Sequence, residues 1–229
     1  KWLATAVKGP DGSLRIWDVN ADQEIWFKPK GADTVKFSKD GTCLFSADQE
    51  TGDLCAWDLK KLHTRPVDAS DSFSWDVLLR KSSLRTWVAH SGACYDAVAL
   101  RQREQMITIG SDGYIRRWGS NPGNLATRLT PPESGEAVKY DLLGADPSGT
   151  MVAVGRSNQL RLYHQHDGIL ESVKPLPTRD CRALAVSRDG SQIVIGHIGD
   201  GTLRIWNTDN LSESAVDVWE IGSDVSICE

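Results

Sequence analysis

Long apolar runs are missing from this chain. Nowhere in its 229 residues does a stretch approach the ~20 consecutive apolar residues that a membrane-spanning helix needs. The start carries no charged segment followed by an apolar one, so no secretory leader is read there. An excess of basic charge is missing too. Lys and Arg total 26 against 31 Asp and Glu, for a net charge of −5. Nucleic acid and anionic membranes both need a basic surface, so neither is expected as the main partner. Paired cysteines are absent as well. The five cysteines (Cys43, Cys55, Cys94, Cys181 and Cys228) are odd in number and contain no C-x-x-C. The first four lie in apolar or alternating runs, where a reduced thiol acts as a small hydrophobe. That usage points to a reducing, intracellular compartment, the cytoplasm first and the nucleus second.

Signatures of catalysis are also lacking. No G-x-x-x-x-G-K-S/T loop occurs, and Gly110-Ser-Asp-Gly113 lacks the spacing of a nucleophile elbow. Asp209 and Glu213 form a carboxylate pair with no evident acid partner. His164 and His166 share one face of a predicted strand, but no third ligand accompanies them, so they read as a polar edge and no metal is expected. The expectation is a protein without catalytic residues or cofactor. Helical periodicity never persists beyond a few residues.

What the chain does have is a recurring pattern. A turn leads into a short alternating run that ends in an aromatic residue. The copies are Asp11-Gly-Ser-Leu-Arg-Ile-Trp17-Asp18, Gly52-Asp-Leu-Cys-Ala-Trp57-Asp58, Asp112-Gly-Tyr-Ile-Arg-Arg-Trp118, Asn158-Gln-Leu-Arg-Leu-Tyr163 and Asp200-Gly-Thr-Leu-Arg-Ile-Trp206-Asn207. Successive aromatics are 40, 61, 45 and 43 residues apart, so one interval holds an insertion. Upstream turns accompany them: Ser38-Lys-Asp-Gly41, Asp146-Pro-Ser-Gly149 and Ser187-Arg-Asp-Gly190. Glycine supplies the positive φ of such turns, and Asp or Ser binds the local backbone. Short strands and a turn about every ten residues predict an all-β protein built from four-stranded units. A lone sheet of this size exposes two apolar faces, and stacking on neighbours buries both.

Trp-Asp at the end of the third strand, at a period in the forties, resembles the WD-repeat family of β-propellers. The dipeptide is literal at Trp17-Asp18 and Trp57-Asp58 and becomes Trp118-Gly119, Tyr163-His164 and Trp206-Asn207 elsewhere. The family's Gly-His pair survives in altered form as Ala89-His90, with Gly31-Ala32, Ser134-Gly135, Arg179-Asp180 and Gly222-Ser223 in the other units. The resemblance implies a propeller of about five four-stranded antiparallel blades over residues 1–229. Residues 1–31 form a partial unit, and full units span 33–92, 93–135, 136–180 and 181–223. Residues 225–229 are a closing strand or the start of a further unit. Seven blades are usual in the family and the chain opens at Lys1 directly on a strand, so a segment of a longer propeller is expected, with five closed blades as the alternative.

The resemblance further implies a non-catalytic scaffold that binds other proteins or peptides within a multi-subunit complex. Two alternatives stand beside it: a sensor or regulatory domain of a larger signalling protein, and a propeller hydrolase with a site in its central channel. His90, Asp112 and Trp118 match three positions of the family's structural hydrogen-bond network, whose Ser/Thr position falls at Gly110, leaving it incomplete. Aligning the units on their turns places Asp33, Asp96, Asp141 and Arg182 at one position, the start of each innermost strand. There they would rim the channel mouth and receive a basic peptide segment, or be ordinary solvated strand-start residues. The insertion at 60–82 carries Phe73 and Trp75 in a polar setting, as a partner anchor or as strands packed on their own unit. Trp57-Asp-Leu-Lys60 approaches the Trp-Asp-x-Arg box used to dock on ubiquitin-ligase adaptors, but Lys lacks the planar fork of Arg.

Overall fold

A computed structural model of the chain describes residues 1–7, 13–28, 32–62, 83–101, 105–119, 125–129, 140–166, 169–197, 199–210 and 217–220. The first unit holds β1 (Trp2–Ala6), β2 (Leu14–Asp18) and β3 (Gln23–Lys28), an antiparallel three-stranded sheet. The second holds β4 (Thr34–Phe37), β5 (Cys43–Ala47), β6 (Asp53–Asp58), the single helical turn α1 (Leu59–Leu62) and β7 (Ser83–Val88). The third holds β8 (Cys94–Ala99), β9 (Met106–Gly110), β10 (Ile115–Trp118) and β11 (Leu125–Leu129). A six-stranded sheet follows, of β12 (Leu142–Ala145), β13 (Met151–His166), β14 (Ile169–Val186), β15 (Gln192–His197), β16 (Thr202–Asn207) and β17 (Asp217–Glu220). The architecture is all-β, in small antiparallel sheets. No ring closure between first and last sheets is found among the described residues.

The upstream turns form as their residues dictate. Gly41, Gly149 and Gly190 take φ of 67°, 73° and 73°, the left-handed region that only glycine enters cheaply. At the first, the Ser38 hydroxyl donates to Asp40 at 2.6 Å and accepts from Cys43 N–H at 2.9 Å. Ser187 and Asp189 repeat this with Gln192. At the middle turn the roles exchange: Asp146 takes the Met151 N–H at 2.6 Å.

The six-stranded sheet joins two units that the sequence separates. The first half of β13 pairs with β12, and the second half pairs with the first half of β14. The Gln165 N–H donates to Thr150 O at 2.7 Å, so β13 folds back on itself. The second half of β14 then pairs with β15 and opens the fifth unit. In the second, third and fifth units the turn before the third strand carries a positive-φ glycine: Gly52, Gly113 and Gly201. The fourth unit has Arg156-Ser-Asn-Gln159 instead, with no glycine to end the strand, and Ser157 pairs with Cys181 across the two units.

Apolar layers lie between successive sheets. Leu14 and Ile16 meet Leu44 and Trp57; Phe45 and Leu54 meet Ala97 and Met106; Ile107 and Ile115 meet Val152 and Val154; Ala153 and Leu160 meet Ile193 and Ile195. The strand-ending aromatics sit in these layers. Trp57, Trp118, Tyr163 and Trp206 are all at most 4% exposed. Each such burial removes ~150–250 Å² of side chain from water, the main adhesive between units.

Candidate functional site

The first strands of the second to fifth units begin in comparable ways. Asp33 N–H donates to Ala47 O at 2.8 Å, and Asp141 N–H donates to Gly155 O at 3.0 Å. Both precede the first paired residues, Thr34 and Leu142, and Arg182 likewise precedes Ala183. Asp96 departs from the sequence alignment. It is itself a paired residue, opposite Ile109, and Tyr95 holds the position of the other three. The turn after β8 causes the offset: the Leu100 N–H donates to Gln105 O as Ser38 does to Cys43 O and Ser187 to Gln192 O, so Leu100 and not Arg101 opens it, while the bulge between Cys94 and Asp96 recurs between Cys181 and Ala183. The two cysteines are therefore equivalent. Burial, reinforced by Asp96 beside one and Asp141 beside the other, pushes both thiols up to about 12.

Asp33, Asp96, Asp141 and Arg182 have different surroundings. Asp33 is buried, and its Oδ2 accepts the Gln49 N–H at 2.7 Å. Gln49 Nε2 in turn donates to Tyr95 O at 3.5 Å, reaching the third unit. Asp96 Oδ2 accepts the Leu143 N–H at 3.1 Å, reaching the fourth. The Asp96 carboxylate and the Gln49 side chain thus tie neighbouring units together, and Asp33 fixes the Gln49 backbone. Asp141 and Arg182 are exposed. Phe73 and Trp75 lie outside the described residues, as do Gly31, Ser134-Gly135, Gly222-Ser223 and residues 225–229.

The third unit also holds a buried polar chain. His90 Nδ1 bonds Asp112 Oδ1 at 2.9 Å, His90 Nε2 meets Thr108 Oγ1 at 2.8 Å, and Trp118 Nε1–H donates to the same hydroxyl at 2.9 Å. The network expected to lack its hydroxyl is thus complete. The hydroxyl comes from Thr108 and not from position 110. Two residues earlier on a strand is the same face, and at Gly110 a Cβ would meet His90 Cγ at 2.2 Å. Glycine there makes room for the imidazole.

The protonation states follow from this geometry. Burial lowers the His90 pKa to about 4 despite the hydrogen bond and charge of Asp112, so the ring is neutral. A neutral ring with its proton on Nδ1 donates to Asp112 and leaves Nε2 to accept from Thr108. Burial would raise the Asp112 carboxyl, but bonds from His90, the Ser91 N–H and Arg116 hold it below its usual range. Arg116 was not singled out from the sequence, although its signal is there. Asp112 and Arg116 bond at 2.7 Å, and Asp200 and Arg204 bond in the same arrangement, each from an Asp-Gly-x-x-Arg string. Ser46 was likewise missed; it accepts from Trp57 Nε1 at 2.9 Å.

His164 and His166 pair with Glu171 and Ile169 across β13 and β14. Among the described residues no group of three or more His, Cys, Asp or Glu could hold a metal ion. No described helix is long and apolar enough to cross a membrane.

Comparison with known proteins agrees with the repeat pattern over part of the chain. Residues 171–207, from β14 through β16, match the model of the WD domain, G-beta repeat. Telomerase protein component 1 of Rattus norvegicus is 32% identical over 90% of this chain. The Mus musculus protein of the same name is 31% identical over 45% of it. The chain spans 8% of the rat relative's length, and the mouse match covers 4% of that relative.

Proposed function

We propose that this chain is a non-catalytic scaffold whose rim receives segments of other proteins. The observation that carries this reading is the rim itself. Hydrogen bonds from Gln49 to Asp33, from Gln49 to Tyr95 and from Leu143 to Asp96 fix it across three units, while Asp141 and Arg182 present exposed charge beside it. A stiff frame that displays polar side chains can hold a peptide without ordering itself first, which keeps the entropic cost of binding low. The partial WD-domain match supports an interaction role. So does the likeness to proteins named as a component of telomerase, which fits work inside a multi-subunit complex in an intracellular compartment. Phe73 and Trp75 of the insertion are proposed as a second contact region.

The test is a panel of synthetic peptides of graded net charge, titrated against the chain and its D141K and R182E variants. Basic peptides should lose up to roughly fivefold in affinity on D141K and gain on R182E, with both effects fading in salt. Stability should stay unchanged, because both side chains are exposed. Identical titrations for all three proteins would remove the rim as the binding surface.

A further inference from the structure

The sheet shared by the fourth and fifth units brings two arginines together. Ser157 of β13 pairs with Cys181, at the start of the part of β14 that belongs to the fifth unit. The pair is antiparallel, so the residue before Ser157 and the residue after Cys181 are neighbours across it. They are Arg156 and Arg182, and both are exposed. Opposite residues of such a pair have Cα atoms ~4.5–5.5 Å apart, close enough for two guanidiniums to close on one small anion. Arg182 is also the extra residue of the bulge between Cys181 and Ala183, and a bulge re-aims a side chain away from the ladder.

Like charges opposite each other destabilise a strand pair unless an acid lies between them. Four other arginines show how this chain satisfies a guanidinium. Arg15 bonds Glu24, Arg116 bonds Asp112, Arg204 bonds Asp200, and Arg117 donates to Gln165 and to Ser148 O. Among the described residues Arg156 and Arg182 form no ion pair and no side-chain hydrogen bond. Asp141 precedes Leu142, the partner of Gly155, but its exposed carboxylate bonds neither arginine. Asp200 of the fifth unit is already held by Arg204 and Thr202. Two guanidiniums against one free carboxylate leave a positive place on a chain whose net charge is −5.

We infer that Arg156 and Arg182 together receive one oxyanion side chain of a partner segment, a carboxylate or a phosphate ester. The inference rests on the scaffold reading above and adds to it a preference opposite to that of Asp141: an acid sits on the arginine pair, and a basic neighbour in the same segment sits on Asp141. Each guanidinium offers parallel N–H donors that match two oxygens of such a group. An anion between the arginines also removes their mutual repulsion, which the free chain has to bear. Both stand on one hydrogen-bonded sheet, so backbone pairing sets their spacing and little ordering is left for the moment of binding. In the sequence Arg182 is only a break in a set of aspartates. Arg156 gives no signal there, because the pairing of Ser157 with Cys181 is what brings it in.

The experiment titrates fluorescent peptides that differ only in a central residue (Glu, phosphoserine or Gln), beside a Lys-rich peptide and a single-stranded RNA oligonucleotide. The proteins are the parent chain, R156Q, R182Q, the double variant and R156K. The Glu or the phosphoserine peptide should bind more tightly than the Gln peptide. It should lose roughly three- to fivefold on either single variant and roughly tenfold on the double one, with the loss fading in salt. Binding of the Glu peptide identifies a carboxylate as the source, and binding of the phosphoserine peptide alone identifies a phosphate ester. R156K keeps the charge without the fork and should hold only part of the affinity. Thermal melts of the variants should match or exceed the parent, because a like-charge contact is removed. Variants that melt well below the parent would give the arginines a structural role and overturn the inference. Equal affinity for the Glu, phosphoserine and Gln peptides, with Lys-rich peptides still answering to D141K, would overturn it and leave the scaffold reading standing. No binding of any peptide would overturn both. Binding of the oligonucleotide in preference to every peptide would overturn it in favour of nucleic acid.

Discussion

Replacing Thr108 by Val tests the buried polar chain of the third unit. The side chain is 0% exposed, and its hydroxyl meets both Trp118 Nε1 at 2.9 Å and His90 Nε2 at 2.8 Å. Valine fills the same volume, so little cavity forms. It leaves two buried polar atoms without a partner, each worth ~1–3 kcal/mol. The added methyl returns about 0.8 kcal/mol of burial. The net expectation is a loss of about 2–4 kcal/mol, or roughly 5–15 °C in Tm for a chain of this size. Urea unfolding followed by circular dichroism measures it. T108S keeps the hydroxyl and should cost only about 1 kcal/mol, the value of one lost methyl. Ser46→Ala, which removes a single bond to Trp57, should fall in between. The reasoning fails if T108V lies within about 0.5 kcal/mol of the parent, the range of ordinary surface changes. It also fails if T108S is as damaging as T108V.

Other consequences can be measured directly. His90 has a folded pKa of about 4 against 6.5 unfolded, so the unfolded state takes up its proton first and stability declines as pH falls from about 6.5 to 4. The decline is on the order of 3 kcal/mol at its limit, and H90Q should flatten that part of the stability profile. Gly110→Ala drives a methyl into the His90 ring and should destabilise by about 1–3 kcal/mol in thermal melts, as overpacking does. Gly41→Ala and Gly52→Ala share a positive φ, but a Cβ at 41 meets open space whereas one at 52 would lie 1.9 Å from Gly92 O. The first should cost about 1 kcal/mol of backbone strain and the second clearly more, read as a difference in urea midpoint. Cys94 and Cys181, with thiols pushed up to about 12, should resist a disulfide-exchange reagent at pH 8 in the native chain and react promptly in urea.

Much of this protein can be read along the chain because its determinants are local. Glycine in Asp-Gly turns fixes positive φ within four residues, alternation fixes which side chains share a face, and the spaced aromatics Trp17, Trp57, Trp118, Tyr163 and Trp206 mark the third strand of each unit. Those features determined the all-β class and the unit order. What depends on register needed the tertiary structure. The turn after β8 lacks the glycine of the other units and opens at Leu100, one residue before the aligned Arg101, so Asp96 falls one place beyond the position of Asp33, Asp141 and Arg182; only the backbone bond from Leu100 to Gln105 reveals this. The hydroxyl of the buried network belongs to Thr108 because the space beside position 110 is filled by an imidazole arriving from 20 residues upstream. The joining of the fourth and fifth units, with Ser157 opposite Cys181, shows only when two strands find each other. Which carboxylates bind backbone and which face solvent was likewise decided by packing. Burial and hydrogen-bond partners come from segments far apart in sequence, and the sequence orders such segments without bringing them together.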